Sequence, residues 1–427
     1  MVQPDPVRGL AAAIHREIAD DAEGSDCAHS QSARAGILDC KLSLAVRIAI
    51  LVAACLIPTC YVLKHYNSQT QFTSLILFGA EFQDSALTEI KAMKPAVDSP
   101  YGYDGQFYAQ IAIDPLLKNP QLQKALDLPG YRAERIFLPA VAYLAGFGKP
   151  SIIVQVYALL NLLFWFLLLF GLVHYLHAST VRDYLCILAT VFTTGALISV
   201  QRALTDLPAA ALGFYASALS GTAAWMIISM AILTRQTSVM FLLRFAWPLP
   251  KDRAEVISLA IRVALVIAPL FLWLVYIHYT FGPSFQNYGH FGWPFRDWAL
   301  YVYTNWKALS VTPLKLDFGS VGTWGWRLFE FLAPLSTMVQ VCYFAIWRSP
   351  RCAYWRMGVG FAVMFIFLAS SVFVEQIAFC RVVLPMTIAF NIGLMRQRGY
   401  TFAFNFLAGN LGFAWAFIDT LSYCIFR

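Results

Sequence analysis

Residues 152–176 read IIVQVYALLNLLFWFLLLFGLVHYL, twenty-five consecutive positions without a single Asp, Glu, Lys or Arg. A helix needs roughly 20 apolar residues to cross a bilayer core of about 30 Å, so this stretch predicts a membrane span. The rest of the chain has the same character. Of its 427 residues 59% are hydrophobic and only 13% charged, about half the charge of an ordinary globular domain. Those figures exclude a soluble enzyme, a disordered tail, a collagen and a disulfide-stapled secreted domain. The net charge of +7 forms no Lys/Arg-dense stripe with interleaved aromatics, so basic cytoplasmic loops explain it better than nucleic acid does. The nine cysteines show neither CxxC nor a Cys/His metal spacing, which predicts no zinc site and no disulfide framework.

Upstream, residues 44–63 form the first expected span. Lys41 precedes it and Arg47 lies near its start, so the chain runs from the cytoplasm outward. Residues 1–43 read as a cytoplasmic tail, not a secretory signal, because they mix acids and bases ahead of the first apolar run. The cluster Asp20-Asp21-Ala22-Glu23 reads as a solvated face of that tail. Downstream, spans are expected at 184–204, 207–220, 222–233, 239–249, 256–279, 328–347, 357–374, 382–394 and 402–425, several short enough to be half-helices or hairpins. The expected fold class is therefore all-α, a polytopic transmembrane helical bundle of about 11 spans over residues 44–427.

This layout places 177–183, 221, 250–255, 348–356 and 396–400 inside, and Arg348, Arg351, Arg356, Arg396 and Arg398 gather there as cytoplasmic loops require. The outer face receives 64–135, 202–207, 234–238, 281–327 and 375–381. The first of these, a long periplasmic loop, far exceeds an ordinary helix connection and is expected to carry interfacial helices, with another over 136–147.

Chemistry-bearing residues concentrate on that outer face. Pro100-Tyr101-Gly102-Tyr103-Asp104-Gly105-Gln106-Phe107-Tyr108 makes a turn and opens a short helix ended by Asp114-Pro115. Asp104 is thereby held among aromatics, where a partly desolvated carboxylate gains basicity; the same position suits a simple helix cap. Tyr131-Arg132-Ala133-Glu134-Arg135 sets two arginines beside a carboxylate where the chain re-enters the membrane. Arginine grips phosphate bidentately, which suits a lipid head group, and it also snorkels at interfaces. Arg202-Ala203-Leu204-Thr205-Asp206-Leu207-Pro208 places a carboxylate between apolar runs, functional or again a cap. Thr234-Arg235-Gln236-Thr237-Ser238 puts a cation in a very short break. Tyr288-Gly289-His290-Phe291-Gly292 carries a lone histidine, and Glu375 and Arg381 suit a salt bridge. No phosphate-cradling glycine loop of nucleotide enzymes is present.

The order of these motifs resembles a bacterial branch of the GT-C superfamily of membrane glycosyltransferases, similar to the polyprenol-phosphate-sugar-dependent mannosyl- and arabinosyltransferases. The likeness runs from about Leu44 to Arg381. It rests on Tyr103-Asp104-Gly105-Gln106-Phe107-Tyr108, Arg132 with Arg135, and Thr205-Asp206-Leu207-Pro208-Ala209. The resemblance implies an all-α bundle whose first outer loop supplies the catalytic carboxylate, Asp104. It implies substrate contacts from Arg132, Arg135, Asp206, Arg235 and Arg381; Tyr103, Gln106 and Tyr108, which flank Asp104, and His290 of the glycine-aromatic loop are the other expected substrate-binding residues. Two positions depart from the family pattern: Asp104-Gly105 stands in place of an acidic pair, which speaks against protein acceptors, and Gln236 stands where relatives often carry Glu, which weakens a metal ligand there.

The implied enzyme moves a hexosyl or pentosyl group from a polyprenyl-phosphate-sugar donor to a glycan, lipid or other hydroxyl, with inversion, at the outer face of the bacterial inner membrane, in the building of the cell envelope. Membrane lipids are its other partners. No cofactor is called for, and a divalent cation is left open. The competing class is a transporter or flippase of a lipid-linked sugar or other anion. It would need ionisable residues through the midplane, for which the sequence offers only Arg244, Arg262, Glu330 and Asp419.

Overall fold

The structure, a computed structural model, describes residues 37–248, 250–282, 289–312 and 318–426. The tail as far as residue 36, with its acidic cluster, lies outside the described residues, as do Leu249, Tyr288 and residues 313–317.

The chain is built almost entirely of helices. Helix α1 (Leu44–Lys64) starts at Ser43, whose hydroxyl accepts from the Val46 N–H. A run of short elements then reaches α2 (Gly105–Ile113), α3 (Pro129–Ala133) and α4 (Phe137–Ala145). The predicted span at 152–176 is α5 (Pro150–Tyr175), with proline in its first turn, where no backbone donor is lost. The rest of the bundle is α6 (Val181–Val191), α7 (Thr194–Gln201), α8 (Asp206–Ala218), α9 (Gly221–Thr234), α10 (Arg253–Phe281), α11 (Arg296–Val311), α12 (Phe318–Ile346), α13 (Ala353–Ile366), α14 (Gln376–Val382), α15 (Leu384–Leu394), α16 (Gly399–Asn410) and α17 (Trp415–Phe426).

The span count differs from the expected eleven. Four helices are long and apolar enough to cross a membrane, α1, α5, α10 and Gly322–Ile346 of α12, or seven if each bent pair counts as one span. The pairs are α6 with α7, bent by 47°, α14 with α15, bent by 63°, and α16 with α17, bent by 61°. Three other expected spans are helices of 13 or 14 residues, α8, α9 and α13, short of the length a crossing needs by itself. The run expected at 239–249 is a 3-10 helix, Gln236–Ala246, packed against α9 and α13. On the outside of the bundle α10 exposes Leu265, Phe271 and Leu272, and α1 exposes Leu44 and Leu56. Such faces suit lipid, where apolar groups need no protein cover.

The ends of the helices sort into two groups. At one end the stretch between α1 and α4 folds into short helices and a two-stranded parallel pair, Phe78–Gly79 with Val97–Ser99. At the other, Arg182 pairs with Asp39 and with the Gln397 carbonyl, and Arg356 donates to the carbonyls of Pro350, Arg351 and Arg244. That far end also carries Arg348, Arg396 and Arg398.

Backbone contact sets the position of the site. A Cβ added at Gly105 would stand 2.5 Å from the Arg202 carbonyl oxygen, so the start of α2 can touch the α7–α8 junction only because residue 105 is glycine. Within that junction Ala203 adopts φ +47°, a left-handed conformation unfavourable for alanine. Its carbonyl is fixed by the Tyr157 hydroxyl at 2.9 Å.

Candidate functional site

Asp104 occupies the N-cap position of α2, but its side chain makes no capping hydrogen bond. The carboxylate faces Arg132 Nη1 at 2.9 Å and Arg381 Nη1 at 3.7 Å. Arg132 is anchored from its other side by Asp127, which accepts from Nε at 2.8 Å and from Nη2 at 2.7 Å. Asp206 is not a cap either. It is the first residue of α8, and its buried carboxylate pairs with Arg235 and, at 3.5 Å, with Arg381. Arg381 thus bridges two carboxylates from different elements and makes no ion pair with Glu375, the partner that chain spacing suggested.

These groups border a cleft of about 410 Å³ lined by Asp104, Glu134, Arg132, Arg135, Arg235 and Arg381, with His290 and Ser371 across from them. Four guanidinium groups meet only two carboxylates on its walls. Arg135 is the unbalanced one. It is 5% exposed, its terminal nitrogens bond the hydroxyls of Tyr108 and Tyr131, and no carboxylate among the described residues lies within ion-pair distance of it. The ring faces of Tyr131 and Tyr108 lie 4.7 and 5.5 Å from its guanidinium carbon, and a cation is attracted to such faces.

The electrostatics divide the cleft's acids. Burial would push the Asp104 carboxyl up, but Arg132, Arg381 and Arg135 outweigh it and hold it at about 2. Glu134 goes the other way: burial raises it and Arg135 opposes only in part. It accepts a hydrogen bond from Gln236 Nε2 at 2.8 Å. His290 is pushed down by burial and then by Arg135 and Arg235. Ser371 donates its hydroxyl to the Gly289 carbonyl at 3.0 Å, so His290 Nδ1, 3.1 Å from Ser371 Oγ, donates to that hydroxyl oxygen and Nε2 carries the lone pair of the neutral ring.

The remaining expected site residues lie behind the cleft wall. Tyr103 stacks under Arg202 at 4.3 Å and Arg381 at 5.2 Å. Tyr108 is fully buried and orients Arg135. Asp206, 3% exposed, orients Arg235 and Arg381. Gln106 has a different place: it accepts from the Gly79 N–H at 3.0 Å and donates to the Tyr101 carbonyl at 2.9 Å, bracing the loop away from the cleft. The sequence marks Glu134 only as the carboxylate beside Arg132 and Arg135, and Asp127 stands five residues ahead of Arg132 without a local signal. Among the described residues no three His, Cys, Asp or Glu side chains converge as a metal-binding group.

Comparison with protein-family models, with curated proteins and with solved structures finds no match for this chain.

Proposed function

We propose that the protein is an integral membrane glycosyltransferase of the GT-C type. It moves a sugar from a polyprenyl-phosphate donor to an acceptor hydroxyl at the outer face of a bacterial inner membrane. The observation that carries this reading is Arg135, a buried guanidinium on the cleft wall whose hydrogen-bond partners among the described residues are two phenols. A phosphate delivered there gains charge-assisted hydrogen bonds that the protein itself leaves unmade. The arginine-rich far end supports that orientation, because short cytoplasmic loops carry an excess of Lys and Arg.

The chemistry follows from the geometry. The acceptor O–H gives its proton to the Asp104 carboxylate while its oxygen bonds the anomeric carbon. The bond from that carbon to the phosphate oxygen breaks, and the electron pair leaves with the polyprenyl phosphate. Attack and departure on opposite faces invert the centre. The phosphate gains negative charge as it leaves, and Arg132, Arg135, Arg235 and Arg381 are already placed around the cleft to stabilise it. Transport of the same lipid fits less well, since Glu330 is held by Arg327 at 2.7 Å, Arg262 is exposed on α10 and Asp419 on α17, and Arg244 sits at the far end beside Arg356.

Proteoliposomes supplied with polyprenyl-phosphate carriers bearing radiolabelled hexose or pentose, and with envelope extract as acceptor, test the reading. Transfer of label out of the carrier, lost in Asp104→Asn, supports it. Label that stays on the carrier and only changes leaflet overturns it in favour of transport.

A further inference from the structure

A second cavity opens at the far end of the bundle, away from the cleft. Its volume is about 350 Å³, and it lies where the ends of α12 and α15 meet the start of α13. Arg348 and Arg396 line it, and none of its lining residues is acidic. Trp347 and Trp355 flank it, the Trp355 indole donating to the Trp347 carbonyl at 2.6 Å.

Three further features point to an anion. The first turn of α13 forms part of the wall through Cys352, Tyr354 and Trp355, and no side chain caps that helix. Its unsatisfied N–H groups carry the positive end of the helix dipole. Gln397 lines the same cavity and is only 8% exposed. Its Oε1 accepts from Asn405 and its carbonyl from Arg182, but its Nε2 has no acceptor among the described residues. A buried amide donor left unmade is costly, and an oxygen-rich anion would satisfy it. The turn that presents these groups is fixed, because Arg356 binds the carbonyls of Pro350 and Arg351.

We propose that this cavity is a binding site for a phosphate group, and specifically for the head group of an anionic membrane lipid. Phosphate oxygens take the Gln397 amide and the α13 N–H groups, and Arg348 and Arg396 neutralise the charge. Trp347, 46% exposed, marks the height of the membrane interface, where tryptophan is enriched. Basic pockets between helices on the cytoplasmic side suit anionic head groups. This site is independent of the glycosyltransfer reading and survives if that reading fails.

Native mass spectrometry of the full chain, released from nanodiscs of mixed phosphatidylglycerol and phosphatidylcholine, reads the site directly. The wild type is expected to retain phosphatidylglycerol in preference to phosphatidylcholine. The pair Arg348→Gln with Arg396→Gln loses that retention by about tenfold, whereas Arg351→Gln with Arg398→Gln, an equal loss of charge outside the cavity, keeps it. Ser349→Asp, which adds a carboxylate to the wall without removing an arginine, gives the same loss and covers misfolding of the double variant. If inorganic phosphate alone protects the wild type from thermal unfolding, fails to protect the cavity variants, and no lipid preference is seen, the phosphate site stands with a soluble ligand. Equal lipid retention in both double variants and no phosphate effect overturns the proposal.

Discussion

Asp104 stands at the N-cap of α2 but gives its carboxylate to Arg132, 2.9 Å away and on another helix. A cap would lose little on replacement by asparagine, which caps equally well. In the ion-paired arrangement Arg132 keeps Asp127 and Arg381 keeps Asp206 when Asp104 is neutralised, so Asp104→Asn is expected to fold. Its transfer rate is expected to fall by about 10²–10⁴, the range for loss of a general base. Thermal unfolding alongside a transfer assay checks both halves, and a folded, fully active variant contradicts the assignment.

The pH dependence has a definite sign. Asp104 is held at about 2 by Arg132, Arg381 and Arg135, below its ordinary unfolded value. Its ion pairs therefore stabilise the fold fully above that ordinary value and fade as pH falls towards 2. In the ligand-free protein it stays ionised through the working range, so kcat/KM for the proposed donor should show no acid limb from it. Once a donor phosphate shares the same arginines, Asp104 loses part of its compensation and becomes easier to protonate. An acid limb is then expected in kcat at higher pH than in kcat/KM. Other ionisable groups border Asp104 or the cleft: Tyr108, Tyr131, Asp127, Glu134, Asp206, Arg235 and His290. Of these Glu134, raised by burial, and His290, pushed down by burial, would each add a limb to both profiles, and Glu134→Gln combined with His290→Asn removes those shared limbs while leaving the difference intact. Identical acid limbs in the two profiles of that variant contradict the exchange of arginines between Asp104 and phosphate.

Arg132 uses three nitrogens at once, Nε and Nη2 on Asp127 and Nη1 on Asp104. Lysine cannot reproduce that fork. Arg132→Lys should lose activity while keeping its charge, and Arg132→Met, which leaves Asp127 without a guanidinium and Asp104 with only its longer pair to Arg381, should lower stability by about 1–3 kcal/mol. Chemical denaturation of the two variants in the same detergent separates these effects; equal stability for wild type and Arg132→Met would show that the cluster does not hold the loop.

Gly105→Ala would put a Cβ 2.5 Å from the Arg202 carbonyl, a backbone atom that cannot swing aside. The start of α2 must then move off the α7–α8 junction and carry Asp104 away from Arg381. A cost of about 1–3 kcal/mol in stability is expected, with loss of transfer out of proportion to it. Retained activity at wild-type stability would mean that this contact does not position Asp104.

Much of the site was legible because charge is scarce in an apolar chain. Asp104, Asp206, Arg235 and Arg381 stand out against their surroundings, and chain parity alone puts them at one end. Their pairing was not legible, since Arg381 reaches carboxylates 277 and 175 positions away in sequence while Glu375, six positions off, is left aside. The place of Gln106 was not legible either, because its amide is taken up by loop backbone, that of Gly79 well separated from it in sequence. In the fold, the apolar run 184–204 hides a break at Thr193, whose hydroxyl caps α7. The run Thr193-Thr194-Gly195 was the available signal. Helix α11 falls in what reads as an outer loop because it is not apolar overall; Trp298, which donates to the Pro334 carbonyl at 3.0 Å, ties it to α12.

The most direct test is a structure of the protein in nanodiscs with a polyprenyl phosphate bound. The account predicts the phosphate in the cleft, within hydrogen-bonding distance of Arg135 and at least one of Arg132, Arg235 and Arg381, with its leaving oxygen facing Asp104 across the space for a sugar. A phosphate seated away from Arg135, with Asp104 still locked between Arg132 and Arg381, would contradict it.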